Sequence, residues 1–353
     1  MHELSTATPA ETKMTPRARV GHCLARTAAA RTTPPSLTDE QLDRARGVLL
    51  GTATGDALGA GYEFTTPAPT TVIDMIGGGV FRWEPGEWTD DTAMTIAVAE
   101  AAATTGNLHK RNGLNAVAKG FLLWYSTGPK DVGGQTRTVL IQRPRSAAAM
   151  RRRAGTIPGR RGGNGSLMRT APIALAYLDD APRCALAAAR VSALTHRDHR
   201  ATEACILWSL AIRHAVLHGT YDGLYHALSA VDTQFWREAL LVAENGGPAD
   251  FPKNGWVVHA LQTAWWAITH SDDLPGALTL AVRAGNDTDT TTAIAGGLLG
   301  ARWGATAVPA RWRAMLHGYP GYTAADHDHL AERVLVQALL GIGMTGSIAS
   351  RRR

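Results

Sequence analysis

Two short clusters of threonine and aspartate stand far apart in the chain, and each directly precedes an apolar segment with helical spacing. The first lies in WTDDTAMT, residues 88–95, and the second in GNDTDTTTAIAGG, residues 285–297. Their oxygen-bearing side chains are Thr89, Asp90 and Asp91 in the first cluster and Asp287, Asp289 and Thr290 in the second. Threonine and aspartate are favoured N-caps, and acids in a first helical turn complement the helix dipole. Each cluster alone is therefore typical of a well-capped helix.

The repetition of this pattern adds a second interpretation. Asp287, Asp289 and Thr290 can direct three oxygens to one point at a helix start, and the first cluster can do the same. Hard divalent cations such as Mg²⁺ and Mn²⁺ take oxygen ligands in near-octahedral sets. Two such helix ends that face each other would hold a pair of cations.

A third segment, GGNGSLMRTAPIALAY at residues 162–177, is rich in glycine where a helix is expected to begin. Its exposed backbone amides would suit a phosphate or an oxyanion, and Arg169 adds a positive charge. Glycine before a helix is also ordinary loop chemistry, so this segment alone leaves both interpretations open.

The elements that must position these groups are helices. SLTDEQLDRARGVLLGTATGDALG, from Ser36, opens with an S-x-x-D capping signal and continues with helical apolar spacing. Further helical segments are predicted at 92–105, 113–126, 166–178, 182–193, 199–217, 256–269, 275–283, 289–303 and 325–340. Few segments alternate with period two. We predict an all-α fold, a single compact multi-helix domain over residues 37–345, with loops at 138–163 and 244–255.

Composition excludes several classes of protein. The 353 residues are 45% hydrophobic and 19% charged, as in soluble globular proteins. The three cysteines form no CxxC pair, which argues against a disulfide framework or a structural zinc site. No run approaches the roughly 20 apolar residues of a membrane helix, and no apolar signal core is present. We expect a cytoplasmic protein without a membrane partner.

Positive charge is distributed unevenly along the chain. Residues 1–36 lack periodicity and are predicted to be a disordered leader, and residues 346–353 form a basic tail. Seven arginines fall in one segment: Arg143, Arg145, Arg151, Arg152, Arg153, Arg160 and Arg161. Such a run can bind nucleic acid or a phosphate-bearing ligand, but we interpret it as a solvated basic loop and expect no nucleic-acid partner.

Five motifs together resemble, in the same order, those of the ADP-ribosylglycohydrolase family. They are GVLLGTATGDALGAGYEF, WTDDTAMT, GNGSLMRTAPI, THRDH and GNDTDTTTAIAGGLLGARWG, and they cover about residues 43–305. Members of that family include dinitrogenase reductase-activating glycohydrolase and hydrolases of protein ADP-ribosylarginine and ADP-ribosylserine. The resemblance implies an all-α fold with a binuclear Mg²⁺ or Mn²⁺ centre in a cleft.

The resemblance also implies roles for particular residues. The metal ligands would be Thr89, Asp90, Asp91, Asp287, Asp289 and Thr290, with Asp56 supporting them. The segment that binds the pyrophosphate and ribose of ADP-ribose would comprise Asn164, Gly165, Ser166, Met168 and Arg169, with His196 near the same ligand. Glu63, or the carboxylate of Asp91, would take the proton of the attacking water. Asp131 would face the guanidinium of an arginine-linked substrate.

From these roles we expect a metal-dependent hydrolase that removes ADP-ribose from modified protein side chains, with ADP-ribosylarginine as the expected substrate. One alternative keeps the fold but hydrolyses serine-linked ADP-ribose or a small ADP-ribose ester. Another is a non-catalytic ADP-ribose-binding protein, or an immunity protein that blocks an ADP-ribosyltransferase toxin as its partner. The presence of all six expected metal ligands favours an enzyme, because a binding protein need not keep every one.

Overall fold

The computed structural model describes residues 37–159 and 161–350, with side chains up to residue 340. Its α-helices are α1 (Asp39–Gly59), α2 (Asp90–Thr105), α3 (Arg111–Ser126), α4 (Gly134–Leu140), α5 (Ala147–Gly155), α6 (Pro172–Leu175), α7 (Ala181–Ser192), α8 (His199–His218), α9 (Gly223–His226), α10 (Thr233–Asn245), α11 (Val257–Thr269), α12 (Leu274–Arg283), α13 (Thr288–Trp303), α14 (Ala310–Met315) and α15 (Ala324–Ser350). Short 3₁₀ turns occur at Ala60–Tyr62, Asn164–Ser166, Ala227–Ala230, Pro248–Asp250 and Ala305–Ala307. The strands within these ranges are β1 (His317–Gly318) and β2 (Tyr322–Thr323), which pair antiparallel. The all-α prediction is confirmed.

Helices α1 and α13 form the centre of the fold and run antiparallel with their backbones almost in contact. A Cβ atom added at Gly51 would lie 2.3 Å from the carbonyl oxygen of Gly296, and one at Gly300 would lie 1.8 Å from that of Gly47. The hydroxyl of Thr288 donates to the Gly59 carbonyl at 2.8 Å. Because of this close packing, the last turn of α1 lies directly beside the first turn of α13, where the second acidic cluster begins.

The central helix pair is enclosed by other helices. Trp208 of α8 is buried and donates its indole N–H to the Ile294 carbonyl of α13 at 2.9 Å. Helices α2 and α15 pack against α1 and against each other, and α2 begins beside Asp56 in the C-terminal half of α1. The first turns of α2 and α13 are consequently fixed against the same rigid helix.

The sequence predicts most of the longer helices within a few residues, but it misses α4, α5, α9, α10 and α14, and one predicted helix is interrupted. The segment 138–163, predicted as a loop, contains α5, because Ser146 caps its first turn and its apolar residues, such as Met150, face the core. The predicted helix at 166–178 is interrupted, because Pro172 can only begin a helix there. Helix α10 was not predicted, although its N-cap, Asp232, is of the expected type.

The ends of the predicted domain are described only in part. The predicted leader, residues 1–36, lies outside the described residues, as do residues 351–353 of the predicted basic tail. Helix α15 continues through Ser350, and so includes the first residues of that tail. None of the helices in the described part of the chain is long and apolar enough to cross a membrane.

The α1–α13 contact gives a first testable prediction. Replacing Gly51 by alanine would force the two helices apart, and we expect it to lower the free energy of unfolding by about 1–3 kcal/mol. Gly134, the first residue of α4, has no atom near its added Cβ, so Gly134→Ala is a matched control that is expected to be neutral or slightly stabilising. Urea unfolding of both variants measures the difference. Equal stabilities would contradict the close helix contact.

Candidate active site

A cleft opens where the first turns of α2 and α13 meet the end of α1, and it has a volume of about 320 Å³. Most of the side chains predicted as site residues line it: Glu63, Asp90, Asp131, Asn164, Gly165, Met168, His196, Asp287, Asp289 and Thr290. Thr89, Asp91 and Asp56 lie beneath this lining and are buried. The fold therefore brings both acidic clusters to one place.

The first turn of α2 is held by a carboxylate from α1. Asp56 is fully buried, and its two oxygens accept hydrogen bonds from the backbone N–H groups of Thr89 and Thr92, each at 2.9 Å. These are amides that the start of a helix leaves without intrahelical partners. Asp56 thereby fixes the orientation of the first acidic cluster.

The carboxylates converge in two groups that share one residue. Oxygens of Asp56, Asp91 and Asp289 lie within 4.8 Å of one another, and so do oxygens of Glu63, Asp287 and Asp289. Among the described residues, each group has the composition and spacing of a possible cation site. Asp289 belongs to both groups and therefore lies between them.

The two predicted threonines meet at one of these carboxylates. Thr89, the N-cap of α2, donates its hydroxyl to Oδ2 of Asp91 at 3.0 Å, and Thr290 donates to the same oxygen at 3.5 Å. The hydroxyl oxygens therefore lie beside the acidic groups. Asp90 lies further out on the cleft wall, where its Oδ2 accepts the backbone N–H of Gly133 at 3.3 Å.

Within the described residues, this concentration of negative charge is not compensated by any salt bridge. Burial, and after it the charges of Asp287 and Asp131, raise the pKa of Glu63 to about 9. Burial and then Asp131 raise the pKa of Asp90 to about 8. Burial also raises the pKa of Asp91 and of Asp289 well above the usual range. In the described part of the chain none of these acids belongs to a salt bridge.

Two buried oxygens in the cluster also lack hydrogen-bond partners among the residues that the structure describes. They are Oε2 of Glu63 and Oδ1 of Asp91. A buried polar atom without a partner is costly, and a carboxylate oxygen more so. Divalent cations would supply both the missing partners and the missing positive charge, so this donor set suits hard, oxygen-binding ions.

Glu63 is fixed next to the second cluster by a short backbone bridge. Phe64 donates its N–H to the Asn286 carbonyl at 2.6 Å, and Asn286 donates to the Thr65 carbonyl at 2.9 Å. Phe64 and Asn286 both have φ near +60°, a conformation that non-glycine residues seldom adopt. Phe64 is 60% exposed at the rim of the cleft.

Asn254 supports the second cluster and was missed by the sequence analysis. It is buried, and its side-chain oxygen accepts the Asp287 N–H at 3.2 Å while its backbone carbonyl accepts a hydrogen bond from Asn164 at 2.9 Å. Asn164 in turn donates to Oδ2 of Asp287 at 2.8 Å. The sequence signal was only an Asn-Gly pair within a predicted loop.

Asp131 faces the same cleft from the loop before α4. Burial and the charge of Asp287 raise the pKa of its carboxyl, while the backbone N–H of Val132 opposes that shift. Glu63, Asp90 and Asp131 therefore bring three carboxylates to the lining of one cleft, where a cationic group of a substrate would be attracted.

The predicted phosphate-binding segment divides between the cleft and the core. Asn164, Gly165 and Met168 line the cleft, whereas Ser166 turns inward and accepts a hydrogen bond from Ser192 at 3.0 Å. Arg169 is also turned away from the cleft, and its guanidinium lies 4.5 Å from the centre of the Phe121 ring. His196 is largely buried but its ring forms part of the cleft wall.

A second groove of about 850 Å³ adjoins the cleft and shares Gln135, Gly163 and Gly255 with it. Its walls include the predicted loop arginine Arg161, together with Lys253 and the partly exposed Trp256. One residue of the arginine-rich segment thus lies near the cleft.

The chain is similar to known proteins along most of its length. Residues 37–341 match the sequence profile of the ADP-ribosylglycohydrolase family. The ADP-ribosylarginine hydrolase Tri1 of Pseudomonas putida (strain GB-1) is 32% identical over 288 residues, 78% of this chain and 75% of the relative. The ADP-ribosyl-dinitrogen reductase glycohydrolase of Rhodospirillum rubrum is 31% identical over 284 residues, 78% of this chain and 90% of the relative. A solved structure of an ADP-ribosylglycohydrolase-related protein complex matches with a TM-score of 0.68 and 30% identity, and covers 85% of this chain and 100% of that one.

Proposed function

The chain belongs to the ADP-ribosylglycohydrolase family, and on that basis we propose that it hydrolyses the bond between ADP-ribose and a modified arginine side chain of a protein. The observation that carries the proposal is that two clusters of acidic side chains share Asp289 inside one cleft. Two relatives are named for hydrolysis of ADP-ribosylarginine.

Two divalent cations, Mg²⁺ or Mn²⁺, would be held by six residues of the two clusters: Thr89, Asp90, Asp91, Asp287, Asp289 and Thr290. The unpartnered Oδ1 of Asp91 and the absence of a salt bridge to these acids, within the described residues, support the assignment. Such ions, when bound, polarise ribose hydroxyls and lower the pKa of a water molecule. Asp56 keeps the first ligand set in place through its hydrogen bonds to Thr89 and Thr92.

The protein's own groups would then carry the proton and position the sugar. The glycosidic bond breaks through an oxocarbenium-like transition state, with water attacking the anomeric carbon. Glu63 lies at the cleft with one oxygen unpartnered, so its carboxylate can take the proton of that water. Asp91 is the second candidate for this role, since it also has a free oxygen. Asp131 would pair with the guanidinium of the leaving arginine.

The remaining site residues would bind the rest of ADP-ribose. Asn164, Gly165 and Met168 line the cleft beside the acids and would contact the ribose and pyrophosphate, together with His196. Ser166 and Arg169 would support this surface from behind, because both are buried beneath it. An ADP-ribosylated protein is therefore the proposed partner.

A panel of three linkages tests the function. Arginine-linked and serine-linked ADP-ribosyl proteins and a small ADP-ribose ester would be incubated with the enzyme in Mg²⁺, in Mn²⁺ and in chelator. We expect release of ADP-ribose from the arginine-linked substrate, and only when a divalent cation is present. Preferred release of ADP-ribose from the serine-linked protein or the ester would show that the enzyme acts on that linkage instead. Tight binding of ADP-ribose without turnover of any substrate would show that the protein is a non-catalytic ADP-ribose-binding protein.

The same panel contains a prediction for Asp131. Replacing it by asparagine removes the charge opposite the guanidinium, and a hydrogen bond to a charged group contributes about 1.5–3 kcal/mol. We expect kcat/KM for the arginine-linked substrate to fall about tenfold to a hundredfold. Binding of free ADP-ribose, which carries no guanidinium, serves as the control and should change little. Unchanged turnover of the arginine-linked substrate would argue against this role.

A further inference from the structure

Arg169 is a buried cation without a carboxylate partner in the described part of the chain. Its side chain is fully buried, it takes part in no salt bridge there, and its Nε has no hydrogen-bond partner. The guanidinium donates from Nη2 to Oγ1 of Thr195 at 2.6 Å and from Nη1 to the sulfur of Met94 at 3.6 Å. Burying a charge without a salt bridge is expensive, and here the Phe121 ring and the more distant charge of Asp90 offset that cost only in part.

Thr195 connects this guanidinium to the cleft. Its Oγ1 also lies 2.7 Å from Nδ1 of the adjacent His196. A guanidinium has donors and no acceptor, so the Thr195 oxygen must accept from Arg169. The hydroxyl has one proton, and Nδ1 of His196 is its one acceptor among the described residues. Donation to Nδ1 is the arrangement that gives the hydroxyl proton an acceptor, and it requires Nδ1 to be unprotonated.

The opposite nitrogen of the same ring faces the glycine segment. A Cβ added at Gly165 would lie 3.3 Å from Nε2 of His196, and one at Gly163 would lie 3.4 Å from it. The glycines leave this nitrogen uncovered, and it has no hydrogen-bond partner within the described chain. Because Nδ1 is an acceptor, a neutral ring must carry its proton on Nε2.

We propose that Arg169 and Thr195 are positioning residues that fix His196 in the Nε2–H tautomer, so that it donates a hydrogen bond to an anionic oxygen of the ligand. This inference rests on the proposed function for the identity of that oxygen, which belongs to the pyrophosphate of ADP-ribose. Burial, and after it the charge of Arg169, hold the pKa of His196 well below its usual range. The ring thus stays neutral and offers one defined donor.

The tautomer can be measured in the free protein, independently of activity. Long-range ¹⁵N–¹H correlation spectra distinguish the two neutral tautomers from the imidazolium, and loss of a signal in His196→Gln assigns the resonance. We expect the Nε2–H pattern at pH 7. An Nδ1–H pattern or an imidazolium would overturn the inference, whatever the enzyme hydrolyses.

Variants of Thr195 test the connection itself. Thr195→Val removes the hydroxyl at nearly constant volume, and we expect a mixture of tautomers and about tenfold weaker binding of ADP-ribose in calorimetry. Thr195→Ser keeps the hydroxyl and should retain both the tautomer and the affinity. Thr195→Ala makes the same deletion if the valine variant does not fold. An unchanged tautomer and affinity in the deletion variant would overturn the inference. If the wild-type protein fails to bind ADP-ribose, the proposed function is wrong. The tautomer measurement still tests whether Arg169 and Thr195 fix the His196 ring.

Discussion

Replacing Asp289 by asparagine is expected to lower kcat/KM for ADP-ribosylarginine at least about a thousandfold, because metal catalysis contributes several kcal/mol to such reactions. Asp289 is the residue that both carboxylate groups share. Its loss would therefore affect both proposed cation sites. The fold should persist, since the amide oxygen of asparagine can still accept the Thr290 N–H that Asp289 accepts at 2.8 Å.

A metal analysis and two further variants accompany this variant. Bound metal per protein, determined by elemental analysis, should fall together with activity, and Asp90→Asn should behave in the same direction. Asp272 is exposed and lies outside the cleft, so Asp272→Asn is the matched control and should keep wild-type turnover and metal content. Wild-type turnover in Asp289→Asn would exclude the binuclear assignment.

The sequence could predict the acidic clusters because their chemistry is local. Thr89 is an N-cap, and Asp90 and Asp91 occupy the first turn of α2, as capping preferences require. That these clusters face each other depends on the contact between α1 and α13. Glycines repeat every four residues in α1, at 47, 51, 55 and 59, and this regularity could have predicted a close helix contact but not the identity of the partner helix.

Other parts of the site depend on contacts that no local pattern encodes. Asn254 meets Asn164 and Asp287 across long stretches of chain, and within its own loop it resembles a turn residue. Arg169 lies in a motif associated with phosphate binding, yet the chain after the 3₁₀ turn at Asn164–Ser166 directs its side chain into the core. Helix α5 was not predicted because its arginines resemble a solvated loop. A helix this short buries only a few residues, so its apolar pattern is weak.

The acidic cluster also affects stability, and here the sign follows from the raised pKa values. A carboxyl whose pKa is higher in the folded than in the unfolded protein binds more protons when folded, so its stabilising contribution is lost as pH rises through the folded pKa. The pKa of Asp90 is raised to about 8 and that of Glu63 to about 9. Metal-free protein should therefore become less stable across this range.

Histidine and cysteine side chains limit the pH range in which the effect of the cleft carboxylates can be measured. His109, His196 and His327 have lowered pKa values, and they reduce stability only below about pH 6.5, where unfolded histidine is protonated. The raised pKa values of Cys184 and Cys205 matter only above about pH 8.5. Between about pH 7 and pH 8.5 the carboxylates of the cleft should dominate the change.

In this window we expect the free energy of unfolding of the metal-free protein to fall by a few kcal/mol, on the order set by one or two raised carboxyl groups. Saturating Mn²⁺ or Mg²⁺ should remove the fall, because a cation favours the ionised carboxylates and competes with protons for them. Urea unfolding in chelator and in metal, at both pH values, measures the effect. Metal-free Asp289→Asn should be more stable than metal-free wild type at pH 8.5, because it has one fewer repelling carboxylate, whereas Asp272→Asn should match wild type. A metal-free stability that is constant or rises over this range would show that the acids are already neutralised by the protein, and the cleft would then have no need of cations.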